Sequence, residues 1–469
     1  MRKYGVIWKY QLKLLFRNKL LIAGLIFLFV AGLYAARYGQ SFVSRQQAII
    51  HKVDTAQQAR NAMALEIFAR PKDADISKRS YWAPYAGTQM FYYAPSAFSS
   101  LSIGQKDNLP FYHEVGGSFS NIFTVSTTAI QNPVKLLAGN FDLSFVIVYL
   151  FPLFIIVIGF SIVSEEKELG TYTLLRTQGN ERSVLFQKLL FRFMLMSVVS
   201  ILLNVVCFAL NGISFSDHYL QMISWVIISL FYILFWFSAV YLVISLKRSG
   251  AVSALLLGGS WVVLLLLIPS IVHRNVTDTH EKELVQSMFN SRGDYPNALK
   301  LDPAVLEDSF SRLPHPFPLP PMSDTNAEAK MAYKNIMVSE IQKRFDNSLG
   351  KRALEIQANE YERTVRYNWI NPVFTIQNAF NQVAATEINN YHNYLLSVEA
   401  QETRRRYLLT AYGISGEAFG EQEYEMVNAY SFSQPEVGIA EVFRLMLPVL
   451  LMSLLFALIA WMRFSGARS

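Results

Sequence analysis

Apolar positions in this chain gather into long uncharged blocks, and between them polarity returns either with helical spacing or with turn residues. Leu20–Ala36, Leu143–Ser164, Phe193–Ser216, Tyr219–Leu246, Ser249–Val272 and Leu445–Met462 contain no Asp, Glu, Lys or Arg. A helix needs roughly 20 apolar residues to cross the hydrocarbon of a bilayer, with a range of about 17 to 25. Every block meets that length. The pattern therefore predicts an all-α polytopic membrane protein with six transmembrane helices.

Ahead of the first block, residues 4–17 read "YGVIWKYQLKLLFR". At about 100° per residue, Tyr4, Ile7, Trp8, Leu12 and Leu15 share one face, and Lys9, Lys13 and Arg17 share the opposite one. A basic face opposite a Trp-containing apolar face suits a helix lying in the membrane interface, in contact with lipid. No small-x-small site closes the first block, so it reads as a retained span and not as a cleaved signal peptide.

After that block, "RQQAIIHKVDTAQQARNAMALEIFAR" has no Gly or Pro and predicts a helical stalk. Residues 71–135 are rich in Tyr, Phe, Ser, Gly and Pro, which predicts irregular structure with short strands. "PHPFPLPP" (Pro314–Pro321) is a stiff extended spacer. Long helical patterns run over Asn326–Tyr367 and Asn371–Tyr412, broken at "NWINP", with Asn371 as cap and Pro372 in the first turn. They predict an antiparallel helical hairpin standing off the membrane.

Charge then orients the spans. Charged residues make up 16% of the chain, against about a quarter in a soluble globule. Lys and Arg beside a span are retained on the cytoplasmic side. Such residues precede the first block, follow the second (Lys167, Arg176, Arg182, Lys188, Arg192), separate the fourth from the fifth (Lys247, Arg248) and follow the sixth (Arg463, Arg468). Both termini are expected inside. The expected division is a connecting helix at 1–18, span one at 19–36, and an extracytoplasmic segment at 37–142. Spans two to five follow at 143–272, a mainly helical extracytoplasmic cap at 273–442, span six at 443–463 and a cytoplasmic tail at 464–469. The net charge of +7 fits basic ends beside anionic lipid and calls for no nucleic-acid partner. The sole cysteine, Cys207, lies in the third block, so neither outer segment can hold an internal disulfide.

Catalytic chemistry is not legible. There is no G-x-x-x-x-G-K-[ST] loop and no H-E-x-x-H pair. "HRNVTDTHEKE", with His273, His280, Glu281 and Glu283, lacks a metal-ligand spacing. No ionisable residue is expected deep in a span, which argues against a proton-coupled carrier. Asn204 and Asn211 in the third block are polar but neutral, suited to bonding between helices.

One connector stands apart. Residues 164–183 read "SEEKELGTYTLLRTQGNERS". Gly170 allows a sharp break, Thr171 can cap a new short helix, and Tyr172, Leu174 and Leu175 give it apolar side chains to bury in a groove. Glu165 and Glu166 read as exposed charges ahead of it and belong to the same candidate contact, with Gly170, Thr171, Tyr172, Leu174 and Leu175. A merely solvated connector would account for the Glu cluster but not for the apolar residues.

At Glu166, Gly170 and Thr171 the chain resembles the membrane subunits of ABC transporters of the ABC-2 type, whose E-x-x-x-G-T element after the second span forms the coupling helix that contacts the ATPase. The 1–18 helix looks like that family's connecting helix. "SIGQKDNLPFY" (Ser102–Tyr112), "NPVKLLAGNFDLSFVIVYLFPL" (Asn132–Leu153) and "NPVFTIQNAF" (Asn371–Phe380) are similar to a bacterial branch with two large extracytoplasmic insertions. The resemblance implies a non-enzymatic permease subunit, most simply an exporter in a bacterial inner membrane. It implies a separate ABC ATPase carrying ATP and Mg, and a second permease copy or a paralogous one. A periplasmic or envelope partner would dock on the cap. A membrane-tethered binding or signalling protein, and a membrane enzyme acting on lipid or peptide, are the other classes open at this point.

Overall fold

The structure is a computed structural model that describes residues 2–68, 89–115, 140–178, 181–276, 358–415, 421–434 and 437–466, with positions 327, 330, 355 and 356. In chain order these form α1 (Arg2–Arg17), α2 (Lys19–Phe68), a two-stranded antiparallel ribbon of β1 (Gln89–Tyr92) and β2 (Tyr112–Val115), and then α3 (Leu143–Glu168), α4 (Thr171–Thr177), α5 (Glu181–Leu210), α6 (Phe215–Ser245) and α7 (Gly250–Val272). The remainder is α8 (Pro372–Val383), α9 (Ile388–Ser415), α10 (Glu421–Asn428) and α11 (Ile439–Gly466). Six of them, α2, α3, α5, α6, α7 and α11, are long and apolar enough to cross a membrane. The protein is multi-pass and its fold is all-α but for the ribbon.

Asn18 separates α1 from α2: its Oδ1 accepts from the Leu21 amide at 3.1 Å and caps the new helix. Fifty residues long, α2 extends roughly 75 Å at 1.5 Å per residue, far more than a bilayer needs. The predicted stalk is thus continuous with the first span. Asp217 and His218, which separate the third and fourth uncharged blocks, lie inside α6 with a kink at His218 (φ −128°, ψ 23°), and the turn between the helices falls at residues 211–214.

α6 is the centre of the bundle. It packs against α3, α5, α7, α8 and α11 and buries Trp225, Tyr232 and Trp236 completely. Asn204 bonds across to it as the sequence predicts: its amide reaches Ser229 Oγ at 3.3 Å, and Trp225 Nε1 donates to its Oδ1 at 3.2 Å. Asn211 instead donates to the Cys207 carbonyl of its own helix. Outward faces of α2, α5, α7 and α11 remain apolar and exposed, Leu255 and Leu266 of α7 among them, as a lipid-facing surface requires.

A second core lies beyond the bundle. Phe91, Tyr93 and Val115 from the ribbon and its exit pack on Tyr391, Tyr394 and Val398 of α9, with Phe111, Tyr430 and Phe432 at the edge. Lys106 is buried beside it, donating to the Ala94 carbonyl (3.1 Å) and Ser99 Oγ (3.3 Å), 4.3 Å from the centre of the Tyr93 ring. Burial pushes its ammonium down to about 7.

The predicted hairpin is corrected in its second arm. Most of its first arm lies outside the described residues; residues 358–366 are helical and end in a 3-10 turn at Tyr367–Trp369. Asn371 caps as predicted, its Oδ1 accepting from the Val373 amide at 3.0 Å. The second arm, however, breaks into α8 and α9. Ala385 takes a left-handed conformation (φ +52°), with Thr386 N bonded to Asn381 O and Ala385 N to Gln382 O, the two bonds of a Schellman stop. Nor does α8 stand off. It packs between α6 and α11, with the Phe380 ring 4.4 Å from Trp225. Its polar residues are taken up: Gln377 donates to Ser144 Oγ, and Ser102 Oγ donates to Asn381 Oδ1.

Candidate coupling site

At the end of the bundle away from α8, α3 runs out in Glu165, Glu166 and Glu168. Gly170 follows at φ +68°, a conformation that costs an L side chain roughly 1–2 kcal/mol. Open space surrounds it, so conformation and not crowding demands the glycine. The chain reverses there into the seven-residue helix α4.

Glu166 holds that turn. Its carboxylate is buried, contrary to the exposed charge that the sequence predicts. Oε2 accepts from Thr171 Oγ1 at 2.5 Å, and Oε1 pairs with Lys188 Nζ of α5. Thr171 therefore fastens α4 by donating back to α3, where the sequence predicts a cap that accepts. Glu165 is half-exposed and lies 3.6 Å from Arg192, whose guanidinium is buried and donates to the Ile158 carbonyl of α3. Lys188 and Arg192 thus enter the first turns of an apolar helix because α3 offers them a carboxylate each and a carbonyl.

A second tie leaves the same end of α4, one residue on. Tyr172 is half-buried and its hydroxyl donates to Glu181 of α5 at 2.5 Å. Glu181 also pairs with Lys247 at 3.1 Å, and Lys167 donates to the Lys247 carbonyl at 2.6 Å. A displacement of α4 would therefore reach α3, α5 and the α6–α7 turn through hydrogen bonds and ion pairs, with little slack.

The predicted apolar pair divides. Leu174 is 61% exposed, whereas Leu175 is half-buried against its own chain. Leu169, not singled out from the sequence, is 74% exposed just before the turn. Two exposed leucines thus flank the Gly170 turn, one before it and one on the short helix after it. α1 packs alongside: Trp8 Nε1 donates to Gln187 of α5 at 3.1 Å, its ring meets Phe191 edge-on, and Gln11 is buried. Lys9, Lys13 and Arg17 point outward, but so does Leu12, because the inward face is set by α5. Among the described residues, no group of three or more His, Cys, Asp or Glu could hold a metal ion.

Neither a curated protein nor a solved structure matches the chain. The family model described as ABC-2 family transporter protein does, over residues 6–467. With six spanning helices and a match that covers nearly its whole length, the chain belongs to the ABC-2 family of transporter proteins.

Proposed function

We propose that this protein is the permease subunit of an ATP-driven exporter, and that α4 is the element through which a separate ATPase moves it. The observation that carries the reading is the exposure of Leu169, just before the Gly170 turn, and of Leu174 on α4, a helix bonded directly to α3 and α5. An apolar surface at such a position gains stability only when a partner covers it. ATP and Mg would be bound by that partner. Export is the direction that the family resemblance implies.

The Lys and Arg distribution supports a topology with both termini and α4 in the cytoplasm, and with the α8 end, the ribbon and α9 outside. A second copy, or a related permease, would complete the pathway against the exposed apolar helix faces. The outer segments would cap release or dock an envelope partner.

Two measurements test this. Single cysteines at Ser41 and Asn326 should react with an impermeant thiol reagent in intact spheroplasts, and cysteines at Arg176 and Ser465 only after the membrane is opened. An ABC ATPase should co-purify with the full chain in detergent. Outside labelling at Arg176 would overturn the assignment of α4.

A further inference from the structure

Two spans are irregular at the same end of the bundle and in the same way. α3 contains a π-helical turn at Val146–Leu150 and α7 one at Val263–Leu267. Each is followed by one residue and then a proline, Phe151–Pro152 and Ile268–Pro269. Proline lacks an amide hydrogen and its ring collides with the carbonyl four residues back, so a widened turn ahead of it relieves the clash and leaves carbonyls without a helical donor.

Side chains from neighbouring elements donate to carbonyls of both turns. Tyr232 of α6 donates to Val148 O at 2.9 Å, Trp261 of α7 to Tyr149 O at 3.3 Å, and Asn371 to Leu264 O at 2.8 Å. Val148 is the acceptor that an amide at position 152 would use in an α-helix, and Leu264 the one that position 269 would use in a π-turn. α8 lies against both turns. Asn371, completely buried, performs two tasks: Oδ1 caps α8 while Nδ2 holds the α7 turn. Trp261 ties one π-turn's helix directly to the other's.

We propose that the paired π-turns are the hinges of a gate between α3 and α7, and that Asn371 is the catch that holds it shut. A π-turn carries one residue more than the α-turn it replaces. Its loss re-registers the helix beyond it by one residue, a rotation of about 100° with a shift of about 1.5 Å. In α7 this would withdraw Leu264 O from Asn371 and free α8 from the seam. What passes through rests on the permease reading above; the hinge itself does not, and its test needs no ATPase.

The test uses the full chain in lipid nanodiscs, with Cys207→Ala and a probe cysteine at Leu265, a residue of the α7 π-turn only 3% exposed. Labelling by an impermeant maleimide should be slow. Asn371→Asp keeps an oxygen to cap α8 but loses the donor to Leu264 O, and should speed labelling by about tenfold, the scale of one lost hydrogen bond. Pro269→Ala returns an amide hydrogen and lets α7 close as an α-helix, so in that background Asn371→Asp should have no effect. Equal acceleration in both backgrounds means general loosening, and it overturns the proposal, as does no acceleration in either. If Asn371→Asp is not monodisperse, Tyr232→Phe with the probe at Val148 reads the α3 turn by the same criteria, with Pro152→Ala as its second background.

Discussion

Thr171 and Glu166 are joined across the Gly170 turn by a 2.5 Å hydrogen bond, hydroxyl to carboxylate, and the same carboxylate pairs with Lys188. One buried acid thus fixes the end of α3, the start of α4 and the first turns of α5. Removing one member of such a pair strands the other charge in a poorly solvated place, which costs about 3–5 kcal/mol. Glu166→Gln should therefore lower the thermal midpoint of the full chain markedly. Adding Lys188→Met should recover most of the loss. A midpoint unchanged by the single substitution would show that the pair does not hold the turn.

Two glycines should respond to alanine for different reasons. A Cβ on Gly39 of α2 would sit 1.7 Å from the Ser100 carbonyl oxygen, which belongs to backbone and cannot rotate away. Gly39→Ala must separate α2 from the 96–101 turn, and a clash with backbone this close belongs at the upper end of the usual overpacking cost of about 1–3 kcal/mol. A Cβ on Gly170 meets nothing within 4 Å, so Gly170→Ala should cost only the left-handed backbone, about 1–2 kcal/mol. Chemical denaturation of the two variants in the same detergent checks the order. The reverse order contradicts the packing described.

Lys106 predicts a pH dependence. Burial holds it at about 7 in the folded protein, against 10.5 for a free lysine. Between these values the unfolded chain binds the extra proton, so stability should rise with pH through that window, by at most about 1.4 kcal/mol per pH unit. Below the folded value both states are protonated and this contribution is flat. Lys106→Met should remove the rise between about pH 7.5 and about pH 9.5. Thermal midpoints at the two pH values measure it, and an equal rise in both proteins would assign the effect to another group.

The six spans were legible because an uncharged block of that length has few other places to go, and Asn371–Pro372 was legible as a helix start because cap and proline are local signals. The break after α8 was hidden by Ala385, which stands where glycine usually marks a left-handed stop. The insertion of α8 was hidden as well, because the partners of Gln377 and Asn381, Ser144 and Ser102, are remote in sequence. Glu166 looked like one charge in a run of glutamates, since nothing local announces a partner at Lys188. A helix as short as α4 does not fix its own phase, so the sequence could not separate outward Leu174 from half-buried Leu175. Pro152 and Pro269 were the available signal for the π-turns.

The outward leucines decide whether α4 is a coupling element. Covering both would contribute about 3–6 kcal/mol, enough to change association a hundredfold or more. Leu169→Asp with Leu174→Asp should leave the chain inserted, with stability within about 0.5 kcal/mol of wild type, since both sites are exposed. The measurement is binding of the co-expressed ABC ATPase to this double variant, together with stimulation of its ATP hydrolysis, in nanodiscs. The account predicts that both fall at least about a hundredfold. An inserted, stable double variant that binds and stimulates the ATPase as wild type does would contradict it.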